Sequence, residues 1–319
     1  MSIIRDTPQH ARGAAASDTP SIGSFIVVGS DGTEESSGAL RIAALLQQKS
    51  SAHVEVHSAI APIPGANLAA FDIVPPPDVD EARRSAALVL LEEQCAPIRS
   101  KLVWKKSVTV GWPTEVIVDA AERSSASLIV IGIGRHRPID RLLAAETAVG
   151  VVRRATVPVL AVLPRATQLP RYAIAAMDFS DSSIDAAKLA AELLSPGGRI
   201  TLAHTVLFPP APRRDGTSWT EVYETGASAR LAALAAELGK AGVSVDTILL
   251  RGDAAVELVR YAKEHHADLI TLGGHKQGVV DRLLIGSVTT RVVRGAPTSV
   301  LVVPQRVLRV IAAEEVPWG

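Results

Sequence analysis

At 319 residues the chain is long enough for about two domains, and its 47% apolar and 21% charged residues can build a buried core, which excludes long-range disorder. Lys plus Arg and Asp plus Glu balance at 33 each, so the basic surplus of a general nucleic-acid or acidic-membrane binder is missing. A single cysteine, Cys95, excludes an internal disulfide and a cysteine-based zinc site, and points to a reducing, cytoplasmic setting.

In chain order, residues 1–21 hold no apolar stretch of signal-peptide length and read as a disordered tail. Strand-like runs then alternate with helical patterns: Phe25–Ser30, Ser36–Lys49, Val54–Ile60, Glu81–Cys95, Leu102–Val110, Thr114–Ser124, Leu128–Gly132, Thr147–Arg154 and Val159–Leu163. A short Pro-flanked joint follows at 164–170. The alternation then resumes with Tyr172–Met177, Ser183–Leu194, Ile200–Thr205, Trp219–Lys240, Val243–Leu250, Ala254–Glu264, Leu269–Gly273, Ser287–Arg294 and Ser299–Val303. No apolar run reaches the ~18–20 residues of a membrane helix. The Pro-rich loop 61–80 and the tail 305–319 lie outside the pattern.

The second series repeats the first. Val110–Leu163 aligns without a gap to Arg251–Pro304, an offset of 141, with Asp140-Arg141-Leu142-Leu143 on Asp281-Arg282-Leu283-Leu284. Nearer the start Asp31 meets Asp178, an offset of 147. A duplication accounts for this, giving units at 22–164 and 165–304. Strands that alternate with helices form parallel, doubly wound sheets covered on both faces, here packed as an internal pseudo-dimer.

In such sheets ligands bind beyond the strand carboxyl ends, where the winding reverses. In the second copy Asp178 closes the first strand. Gly273 and Gly274 leave the fourth, and Gly286-Ser287-Val288-Thr289 opens a helix whose free N–H groups suit a phosphate. Residues 273–294 carry Lys276, Arg282, Arg291 and Arg294 against Asp281, a formal +3 in a neutral chain. Each residue also has a plainer reading: Gly273 as a strand end, Ser287 as an N-cap, Asp178 as a turn residue, Lys276 as a solvated side chain, His204 as a hydrogen-bonded core residue. Cys95 reads as an inert buried thiol.

These residues carry a resemblance. The pattern of Gly, two residues, Gly, nine residues, Gly and Ser or Thr, with an Asp ending the first strand, resembles the universal stress protein family, in its tandem form, within the adenine nucleotide α-hydrolase-like, Rossmann-like folds. The likeness covers residues 22–304. It implies two five-stranded parallel sheets joined by their last strands. It also implies an adenine nucleotide, ATP alone or with Mg2+: Asp178 on the ribose, Thr205 against adenine, Leu272 and Gly273 beside the ribose and phosphates, and Gly286, Ser287, Val288 and Thr289 on the phosphates. Lys276 stands where the family has its second Gly and offers a charge instead. In the first copy Arg135 takes that position and Ala145-Glu146 replaces Gly-Ser. A Glu in the first helical turn satisfies the helix dipole and repels a triphosphate, so this copy is expected not to bind ATP.

The expected function is non-catalytic nucleotide binding in stress response or signalling, with no nucleic-acid or membrane partner and scope for further homodimerisation. The alternatives are a slow ATPase or nucleotidyl transferase using the same pocket, and a nucleotide-independent scaffold. The sequence lacks the P-loop, His-Glu-x-x-His, Gly-x-Ser-x-Gly and nucleotidyl-transferase signatures.

Overall fold

The computed structural model describes residues 22–63, 78–98, 100, 103–134, 138–207, 219–240, 242–274 and 286–305, with backbone only at 138–145 and 219. The tail 1–21, most of loop 61–80, Arg135, Lys276, Asp281, Arg282 and the tail beyond 305 lie outside the described residues.

The N-terminal half runs β1 (Phe25–Gly29), α1 (Glu34–Ser50), β2 (His53–Ile60), α2 (Val79–Cys95), β3 (Lys105–Val110), α3 (Pro113–Arg123), β4 (Leu128–Gly132), α4 (Pro138–Arg154) and β5 (Val159–Val162). The C-terminal half runs β6 (Tyr172–Ala176), α5 (Asp181–Leu193), β7 (Arg199–Val206), α6 (Trp219–Gly239), β8 (Ser244–Arg251), α7 (Ala254–Glu264), β9 (Leu269–Gly273), α8 (Ser287–Gly295) and β10 (Ser299–Val303). All strands form one sheet in the order β3-β2-β1-β4-β5-β10-β9-β6-β7-β8. Within each half every pairing is parallel. The chain winds outward from β1 to β3, then crosses back to β4 and β5, so the direction reverses between β1 and β4, and likewise between β6 and β9. That is where side-chain and backbone groups at the strand ends diverge and leave a crevice.

Central strands read as continuous apolar runs because both of their faces are covered. Leu128, Ile129, Val130 and Ile131 are all buried, as are Val300 to Val303. Two hydrophobic layers result. One packs α1 and α5 on the sheet through Leu40, Leu46, Leu189 and Leu193; the other packs α3, α4, α7 and α8 through Ile117, Val151, Leu258 and Val292. Each layer contains residues of both halves, so neither half has a separate core.

The halves meet where β5 and β10 pair antiparallel, with Leu160 opposite Leu301, Val159 opposite Val302 and Ala161 opposite Val300. At the repeat offset of 141, Leu160 and Leu301 are the same position, so a local two-fold axis passes through this pair. The joint between the halves is tied down by Arg41, whose guanidinium donates to the carbonyls of Ala166 (3.0 Å) and Pro164. The helix at 138–154 starts nine residues before the expected Thr147. The segment Ile139 to Glu146 contains no glycine, and Ala145 stands where the second copy has Gly286; Ala favours the helix over Gly by about 1 kcal/mol. Cys95 ends α2 half-buried, and burial pushes its thiol pKa up, in keeping with an unreactive group.

Candidate functional site

At the reversal point of the C-terminal half lies a cavity of about 720 Å³, within the ~300–1,000 Å³ typical of small-molecule sites. Its lining brings together Asp178, Thr205, Leu272, Gly273, Gly286, Ser287, Val288 and Thr289. Every expected site residue within the described chain therefore faces one space. Further lining comes from Ala203 and His204 on β7, Leu258 on α7, Arg291 on α8, and Arg153 from α4 of the N-terminal half.

Asp178 follows β6 and is exposed. One carboxylate oxygen accepts from the Ser180 backbone N–H (2.9 Å) and hydroxyl (2.5 Å). Ser180 in turn caps α5, accepting from the Ser183 N–H at 3.3 Å. Asp178 thus shapes a turn as well as lining the cavity, and the two readings of this residue are compatible. Between them Phe179 takes a left-handed backbone conformation (φ 64°), which Gly32 takes at the same point of the first copy (φ 78°). The Phe179 ring is held by His204 (4.7 Å between centroids) and by the Arg230 guanidinium 4.2 Å from its centre. His204 is fully engaged. Its Nδ1 donates to the Met177 carbonyl at 2.6 Å and its Nε2 lies 2.9 Å from the Tyr223 hydroxyl, so it is a buried, hydrogen-bonded residue at the edge of the cavity.

Gly273 has a packing role besides its place in the lining. A Cβ there would sit 2.6 Å from the Ser182 hydroxyl and the Ser183 nitrogen, where α5 crosses the end of β9. Gly132 meets the Glu35 carbonyl in the same way at 2.7 Å. Both copies keep this glycine, as the shared packing requires. Gly286 is the N-cap of α8 and supplies no capping side chain, and the first turn of α8 contains no acid. Among the described helix starts it stands apart: α1, α2, α3, α6 and α7 have acidic residues in their first turns, and α5 has both Asp181 and a Ser cap. The N–H groups of Ser287, Val288 and Thr289 therefore open onto the cavity with the positive end of the helix dipole.

The +3 expected over residues 273–294 is largely neutralised where the structure describes it. Arg291 pairs with Asp253 at 2.7 Å, holding that carboxyl below its usual pKa, and Arg294 pairs with Glu146 of the N-terminal half.

The matching place in the N-terminal half holds only about 120 Å³. Gly29, Asp31, Ala59, Ile131 and Gly132 line it as their counterparts line the larger cavity. Two changes fill it. His57, opposite Gly29 on β2, takes the place of Ala203, which lies opposite Ala176 on β7. The other is the extension of α4. Glu146 was expected in a first helical turn; it lies instead midway along a helix that began at Pro138. The backbone N–H groups that would cradle a phosphate are inside the helix, a stronger reason for loss of the site than the carboxylate alone.

A sequence profile of the universal stress protein family matches residues 25–162 and again residues 172–304. The chain belongs to the universal stress protein family. A universal stress protein of Mycolicibacterium smegmatis is 27% identical over 301 residues, spanning 88% of this chain and 97% of that one. One from Methanocaldococcus jannaschii is 42% identical over 62 residues, 19% of this chain and 36% of that relative's length. Among solved structures, a universal stress protein of Archaeoglobus fulgidus superposes with a TM-score of 0.63 at 20% identity, over 88% of this chain and 98% of that chain. A putative one from Pseudomonas aeruginosa gives 0.61 at 18%, over 89% and 93%. These likenesses establish the tandem fold.

Within this universal stress protein, Arg153 and His57 line the two cavities and are not revealed by the linear motif. Both could have been found by carrying the repeat offset beyond the glycines. That step sets Arg153 against Arg294 and Glu146 against Ser287, while strand register sets His57 against Ala203. Among the described residues no helix is long and apolar enough to cross a membrane.

Proposed function

We propose that the C-terminal half binds one adenine nucleotide per chain, ATP in the first instance, without turning it over, and that the N-terminal half serves as its structural or regulatory partner in stress response or signalling in the cytoplasm. The two units are residues 22–164 and 165–304. The observation that carries this reading is the uncapped, acid-free start of α8 opening on a cavity of about 720 Å³ at the winding reversal. Three backbone donors and the helix dipole suit a phosphate, Asp178 suits ribose hydroxyls, and Thr205 on β7 suits the base.

Asp178 is the one carboxylate in the lining among the described residues, and the imidazole there, His204, is held between the Met177 carbonyl and the Tyr223 hydroxyl. The described residues contain no group of three His, Cys, Asp or Glu able to hold a metal ion. Among the described residues the donors do not build a resident metal site, and a Mg2+ ion would enter on the phosphates.

Calorimetry of the full chain should give a stoichiometry of one ATP, and mass spectrometry should find an adenine nucleotide released from the purified protein. Hydrolysis well above background, lost in both Ser287→Ala and Asp178→Ala, would replace the binding reading with an enzymatic one.

A further inference from the structure

The axis through Leu160 and Leu301 gives each contact across the seam a symmetry-related mate. Helices α4 and α8 pack on each other there. On one side, Arg294 of α8 forms an ion pair with Glu146 of α4. The repeat offset carries Arg294 to Arg153 and Glu146 to Ser287, so the mate of that ion pair is Arg153 with Ser287. Both residues line the C-terminal cavity. There a serine stands at the position of the carboxylate, and no ion pair forms among the described residues. Arg153 is exposed and takes part in no hydrogen bond or ion pair among the described residues, although it reaches a cavity whose helix end already favours an anion.

We infer that Arg153, supplied by the N-terminal half, is the charged ligand for the phosphates of a nucleotide held by the C-terminal half. The Glu146 carboxylate then holds, toward Arg294, the place that a phosphate takes toward Arg153. One half carries its anion covalently as a side chain, and the other receives it from solution. The inference rests on the nucleotide reading above and adds to it that the binding site spans the seam: the helix start comes from the C-terminal half and Arg153 from the N-terminal half, while the other guanidinium in the lining, Arg291, is already paired with Asp253. A solvated surface arginine is the plainer account of an exposed guanidinium. The symmetric ion pair weighs against it, because it shows that the same side chain at the related position does bind an anion across this seam.

The test compares ATP with adenosine, which lacks the phosphates, on the full chain by calorimetry. Arg153→Ala should weaken ATP by about tenfold or more, as expected for loss of a hydrogen bond to a charged group, and leave adenosine unchanged. Arg153→Lys should recover part of the loss, because it keeps the charge and loses the fork. Thermal unfolding should be unaltered, since the side chain is exposed. If wild type binds ATP, Ser287→Glu abolishes it and Arg153→Ala keeps it within twofold, the cavity reading stands and this inference fails. If ATP and adenosine weaken in parallel, the arginine acts on structure and the inference fails as well. If wild type binds neither ligand, both readings fall together.

Discussion

The two halves share a fold, a sheet and a pair of packing glycines, and they differ in how they fill one small region. In the N-terminal half an imidazole and a continuous helix occupy the crevice at the winding reversal. In the C-terminal half an alanine and a glycine-started helix leave it open. The sheet alone therefore does not make the site. The scaffold supplies a crevice twice, and a few side chains decide whether protein fills it or a cavity remains.

The largest expected effect comes from writing the first copy's sequence into the second. The double change Gly286→Ala with Ser287→Glu places a carboxylate where phosphates are proposed to bind and favours helix through the cap. ATP affinity should fall about 100-fold or more, roughly 2.7 kcal/mol, with the fold retained by circular dichroism. An unchanged dissociation constant would mean that the difference between the crevices has nothing to do with nucleotide.

The packing glycines should show the opposite, likeness. Gly132→Ala and Gly273→Ala each force a Cβ against a helix backbone and should each cost about 1–3 kcal/mol in urea unfolding. A large loss in one half and none in the other would show that the copies do not share this contact.

The smallest effect concerns His57. Burial is the main reason its pKa lies below the ordinary 6.5; Glu55 opposes the shift from β2, while Arg123 of α3 and Lys105 of β3 assist it. One ring nitrogen meets Glu55 at 3.1 Å, and the other is buried without a partner among the described residues. The unfolded chain then takes up this proton before the folded one, so stability falls as pH drops below about 6.5 and is unaffected above it. His57→Ala, which copies Ala203, should flatten that part of the curve of melting temperature against pH. Retention of the slope would assign it to another group.

Most elements could be read from the sequence because each is determined locally. Val300 to Val303 are apolar at every position, Pro113 starts α3, and Asp253 caps α7, accepting from the Val256 N–H at 3.0 Å. The cavity residues were legible as well, since the motif concentrates them on two loops and one helix start. The start of α4 was not. The repeat itself suggested that residues 138–146 should follow the loop pattern of the second copy, whereas their own helix propensity decided the outcome. The pairing of Arg294 with Glu146 was also hidden. It depends on the register of β5 against β10, which brings together residues 148 positions apart, and no local pattern records that register.

The seam has a consequence for behaviour on dilution. A site divided between two separate chains exists only while they associate, so its occupancy depends on protein concentration as well as ligand concentration. Here the partner surface arrives through a joint of a few residues, and its effective concentration is fixed by that tether. The assembly remains intact in a single molecule. Each copy could also change independently, because a substitution in one half has no obligatory mate in the other.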